Sequence, residues 1–133
     1  MRKAAIILTA CLLLCSCVDD RFIEPFVQKN VVTMEQEGST VFRYDPLTCQ
    51  LSFNRDRCEF RASTDNMSDY FVLVLNEIPS EKEQKVTGTL TWTTPTDIYM
   101  KKNATFQTVR LEGDMIWLWS HSGHIGLVVR MLD

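Results

Sequence analysis

Residues 86–93 read Val86-Thr87-Gly88-Thr89-Leu90-Thr91-Trp92-Thr93. Threonine returns at every second position. A helix would scatter those threonines around its circumference. A strand puts Val86, Leu90 and Trp92 on one face and the threonines on the other. The same period of two extends outward from this stretch. Leu47, Cys49, Leu51 and Phe53 alternate with Thr48, Gln50, Ser52 and Asn54. Cys58, Phe60 and Ala62 alternate with Arg57, Glu59 and Arg61. Each pattern predicts a strand with one buried and one wet face.

Tyr70 to Leu75 is apolar at every position, which predicts a central strand covered on both sides. Further strands are expected around Phe106 to Leu111, Met115 to Trp119 and Ile125 to Leu132. Gly113-Asp114 and His121-Ser122-Gly123-His124 supply the turns between them. Beyond the N-terminal apolar run, the only helical candidate is Pro79 to Gln84, one turn long. Eight to ten short strands with short links predict an all-β fold. The expected architecture is an antiparallel β-sandwich, with a lipocalin-like up-and-down barrel as the alternative.

The chain has 133 residues, with 14 basic and 17 acidic side chains and 45% hydrophobic residues. That balance excludes wholesale disorder and allows one domain with a real core. No internal repeat is visible. The basic residues Arg2 and Lys3 precede an apolar run from Ala4 to Leu14. This run is shorter than the roughly 20 residues needed to span a bilayer. It fits the charged start and apolar core of a secretory signal.

The segment that follows, Leu14-Cys15-Ser16-Cys17, resembles the bacterial lipobox. An aliphatic residue and a small residue precede the cysteine that is lipidated in that family. The resemblance implies cleavage after Ser16 and a diacylglyceryl thioether on Cys17. The acidic pair Asp19-Asp20 resembles the surface-export signal of small Bacteroidota-type envelope lipoproteins. The implied location is the cell envelope, with a lipid anchor in the outer membrane and surface exposure as the further expectation. Residues 1–16 are then the signal peptide, 17–30 a lipidated tether and 31–133 a single all-β domain. Phe22, Ile23, Phe26 and Val27 in the tether predict that part of it docks on the domain. Removing the signal leaves 117 residues with 12 basic and 17 acidic side chains, net about −5. A chain of this charge carries no electrostatic footprint for nucleic acid.

If Cys17 carries lipid, Cys49 and Cys58 remain. Export favours a disulfide between them. A hairpin with Arg55-Asp56 as its turn opposes it, because Phe53 then faces Cys58 and Cys49 faces Ala62. The two sulfurs would lie roughly 13 Å apart along the sheet, against about 7 Å between Cα atoms for a bond. A bridge and two buried thiols both stay open at this point.

Candidate chemistry is thin. His121 and His124 are the two histidines, and no third ligand is indicated for a zinc site between them. A polar turn is the simpler reading. Asp65-Asn66-Met67-Ser68-Asp69 gathers oxygen donors but lacks calcium-loop spacing, so turn chemistry explains it. Trp117 and Trp119 share one strand face two residues apart and are the candidate ligand platform. Their apolar neighbours Ile116 and Leu118 favour a place in the core. No catalytic residue, metal site or cofactor is expected. The leading expectation is a non-enzymatic envelope lipoprotein that binds a glycan or a protein partner. A small apolar ligand carrier with a barrel cavity is the alternative, and a hydrolase is the third.

Overall fold

The computed structural model describes residues 20–29, 31–44, 49–64 and 68–132. The expected signal peptide, Cys17 and residues 65–67 of the acidic loop lie outside the described residues. The described chain forms one short helix, α1 (Asp20–Val27), followed by nine strands. These are β1 (Val32–Gln36), β2 (Ser39–Tyr44), β3 (Cys49–Asn54), β4 (Glu59–Thr64) and β5 (Tyr70–Leu75). They continue as β6 (Lys85–Thr93), β7 (Ile98–Glu112), β8 (Met115–Ser120) and β9 (Ile125–Arg130).

All nine strands belong to one sheet, in the order β2-β1-β9-β8-β7-β6-β5-β4-β3. Strands β3 to β9 meander, and β1 then pairs with β9 to wrap the sheet round. The all-β class and the strand number agree with the sequence reading. Of the two expected architectures, the single wrapped sheet is the up-and-down barrel, and the sandwich would have needed two sheets. The inward residues of every strand meet in one core. Phe60, Phe71, Leu73, Leu90, Phe106, Ile116, Leu118 and Leu127 are each at most 2% exposed.

The barrel has a seam. Every neighbouring pair is antiparallel, and eight such pairings lead from β2 round to β3. Those two strands therefore run in the same direction. An all-antiparallel barrel closes on itself only with an even number of strands. With nine, β2 and β3 are left as the two edges of the sheet. Burial reports the consequence. Phe42 on β2 and Cys49, Leu51 and Phe53 on β3 point inward but are only partly buried. The seam is held from inside, where the Tyr44 ring meets Phe71 of β5 at 5.2 Å between centroids.

Local chemistry explains the turns. Glu37 and Gly38 join β1 to β2 with φ of 52° and 84°. Two successive positive φ values give the turn whose twist matches a hairpin. The β3–β4 hairpin differs from the expected register. Phe53 pairs with Phe60, and Cys49 with Thr64. The turn takes four residues, Arg55 to Cys58, because Asn54 Oδ1 accepts from Arg57 N at 3.1 Å and Cys58 adopts φ 51°. Cys49 and Cys58 thus sit at opposite ends of the hairpin and are not bridged. The slip of register does not rescue the disulfide.

Two other expectations are corrected. Residues Pro79 to Gln84 form a turn rather than a helix. Gln84 Oε1 accepts from Ser80 N at 2.9 Å and Glu81 N at 3.2 Å, and Glu83 has φ 71°. A left-handed residue ends any helix there. Strand β5 is covered on one side only, with Val74 38% exposed on the outer face. The strands buried on both faces are β1, β8 and β9 instead, the last two beneath the N-terminal helix.

Helix α1 is the reason. Ile23, Phe26 and Val27 fall at i, i+3 and i+4, so they share one helix face. Ile23 and Phe26 pack on Trp117, Trp119 and Val128, which point outward from the barrel. Phe26 is fully buried and lies against Gly126. A Cβ on Gly126 would come within 2.7 Å of the Phe26 ring. The end of the helix is tied by polar contacts as well. Arg110 Nη1 donates to Val27 O at 2.8 Å, and Trp117 Nε1 donates to Lys29 O at 2.8 Å. Arg110 also stacks 4.5 Å over the Trp117 ring. A cation at a helix C-terminus satisfies carbonyls that the helix leaves unpaired.

Candidate functional site

Strand β7 is 15 residues long, whereas β8 has six. β8 pairs with β7 only from Gln107 onward, so residues 98–106 outrun it. Beside this overhang sits the β8–β9 turn, His121 to His124. The step between the two makes a groove of about 410 Å³ at this end of the barrel. Lys85 of β6 lines it together with Lys101, Asn103, Thr105 and Gln107 of β7 and His121 and Ser122 of the turn.

The side chains in this groove are held in place. Lys101 Nζ donates to Ser122 Oγ at 2.7 Å. Its ammonium also lies against Gly123, where an added Cβ would be 3.3 Å away. His121 Nε2 is 3.2 Å from Gln107 Oε1, within hydrogen-bonding distance. Lys85 is level with Gln107 across the β6–β7 ladder. The charges near His121 are of one sign. Its proton affinity falls below the ordinary imidazole value, chiefly by burial, then by repulsion from Lys85 and His124. Partial burial and the Lys85 ammonium both favour the neutral imidazole.

The expected residues are distributed as follows. His121 and His124 do form the β8–β9 turn, and His124 takes φ 49° there. The His124 ring lies 6.2 Å from Trp119. Trp117 and Trp119 are 2% and 1% exposed beneath α1, so neither offers an open face in this structure. Among the described residues no group of three His, Cys, Asp or Glu side chains could hold a metal. No protein family, no curated protein and no solved structure matches this chain. Its site has to be read from its own geometry.

Sequence reasoning found the turn histidines but not Lys85 and Lys101. These lysines lie 36 and 20 positions before His121 and share no motif with it. Only the stagger of β7 against β8 brings them together.

A second groove, of about 400 Å³, lies beside the end of α1 and is lined by Gln28, Lys29, Val31, Thr33, Thr40 and Arg43. Thr33 and Glu35 of β1 point away from the core yet are 1% and 3% exposed. Thr33 Oγ1 and Glu35 Oε2 have no hydrogen-bond partner among the described residues. Burial raises the Glu35 carboxyl above its ordinary value of 4.5, and the nearby Lys29 charge offsets part of this. The folded chain therefore holds that proton more tightly than the unfolded chain. The associated stability is full below pH 4.5 and is lost as pH rises through the raised folded value. Glu35→Gln is expected to stabilise the protein at neutral pH and to change little in acid. Urea melts at both pH values check this, and parallel pH profiles for the two proteins would contradict it.

Proposed function

We propose that this chain is a lipid-anchored protein of the cell envelope whose barrel is a non-catalytic binding or assembly module. The docking of α1 supports this reading most directly. The helix begins three residues after Cys17, and its apolar face is sealed against β8 and β9. A lipid on Cys17 would then hold the barrel close to the membrane surface, with little free tether between them. The lipobox-like segment supplies the anchor in this reading, since more than one acyl chain gives lasting attachment. The inward positions are occupied by large apolar side chains. That leaves the surface for binding, and the cationic groove at the end of β7 is a recess in it.

Labelled palmitate fed to cells expressing the full chain tests the anchor. The wild-type protein is expected to take up label, and Cys17→Ala to take up none. An unlabelled wild-type protein recovered from the envelope would overturn the reading.

A further inference from the structure

We propose that the groove between the β7 overhang and the β8–β9 turn binds an oxyanion, namely the sulfate or phosphate group of a small anionic ligand. The inference rests on the binding-module reading and names the ligand chemistry of one surface recess.

Three observations carry it. The first is shape. The overhang of β7 beyond β8 leaves a recess of about 410 Å³, larger than a tetrahedral oxyanion needs. The space left over is lined by Asn103 and Thr105, whose amide and hydroxyl suit the polar body of a ligand. The second is charge. The ionisable side chains lining the recess are Lys85, Lys101 and His121, and none of its lining residues is acidic. This is a local cationic site on a chain of net charge −3. The third is preorganisation. Ser122 fixes Lys101, and Gln107 lies within hydrogen-bonding distance of His121. Donors held in place before binding lose less freedom when the ligand arrives.

A doubly charged oxyanion would take charge-assisted hydrogen bonds from both lysines. It would also reverse the electrostatics at His121. The groups facing that ring are Lys85 from β6, Gln107 from β7 and His124 from its own turn, and the charges among them are all positive. A bound anion cancels the repulsion and favours the protonated ring. Binding is therefore coupled to proton uptake, and affinity falls as pH rises through the His121 titration. A carboxylate has one charge and a planar shape, so it would engage the two lysines less completely.

The test is an NMR titration of the folded full-length mature chain, following the His121 and His124 ring signals. The probes are inorganic sulfate, inorganic phosphate and acetate, at constant ionic strength made up with chloride. Galactose 6-sulfate and glucose 6-phosphate then distinguish a sulfated from a phosphorylated source. Saturable shifts at His121 with sulfate or phosphate are expected, with its titration midpoint moved upward. The double variant Lys85→Ala/Lys101→Ala is expected to bind about tenfold more weakly or worse. Its melting temperature serves as the folding control. Shifts that match chloride alone, or a folded double variant that binds as well as wild type, would overturn the proposal. That failure leaves the lipid anchor standing. An unlabelled Cys17 with intact sulfate binding would do the reverse, so the two claims fail separately.

Discussion

Phe26→Ala is expected to loosen α1 from the barrel and to cost about 3–4 kcal/mol where helix and barrel unfold together. The ring is fully buried and lies 5.7 Å from the Trp119 ring, centroid to centroid. It also fills the notch above Gly126. Truncation removes the largest apolar group of the helix from its interface. Because α1 is peripheral, it has a second way out. It can detach while the barrel stays folded, and the loss is then capped at the docking free energy. Tryptophan emission separates the two cases. Detachment exposes Trp117 and Trp119, so emission shifts red before global unfolding begins. Gly126→Val attacks the same notch from the sheet side. Its Cβ alone would sit 2.7 Å from the Phe26 ring, so it should give the same red shift with the helix sequence intact. Unchanged emission and stability in both variants would mean that α1 does not rest on Gly126.

The docked helix also shows where the sequence was hard to read. Ile23, Phe26 and Val27 have helical spacing, but Pro25 stands inside the segment and masks it. The residue is tolerated because the helix is only eight residues long and is held by packing rather than by its own hydrogen bonds. The strands were more legible. Alternation in Val86–Thr93 and in Leu51–Asn54 reports the pleat directly, and both segments are strands. Register was not legible in the same way. The side chain of Asn54 organises a four-residue turn that residue types alone do not distinguish from a two-residue one. The double burial of β8 has a signature in Met115 to Trp119, yet the element that covers its outer face lies some 90 residues away. The candidate site was half legible. His121 and His124 stand together in sequence, but the lysines reach them only through the stagger of β7.

The second large effect is expected at the seam. Phe71 is 1% exposed and bridges the barrel interior to Tyr44 of β2. Strand β2 lacks a ladder partner on its outer side, so interior packing and β1 are what hold it. Phe71→Ala should cost about 3–5 kcal/mol as a large-to-small core change. The loss should be uneven. Amide exchange in β1 and β2 is expected to speed up well before exchange in β7 and β8, because the hairpin nearest the seam can open by itself. Equal acceleration across all strands would show that β2 is fixed by something other than this contact.

In the proposed reading, a lipid on Cys17 holds the barrel at the envelope through the docked α1. Intact mass of the mature protein, purified from the envelope in detergent, tests it most directly. A chain beginning at Cys17 is expected, with a diacylglyceryl group and any amide-linked acyl chain adding their masses to that residue. An N-terminus elsewhere, or an unmodified Cys17 on a chain found in the envelope, would contradict it.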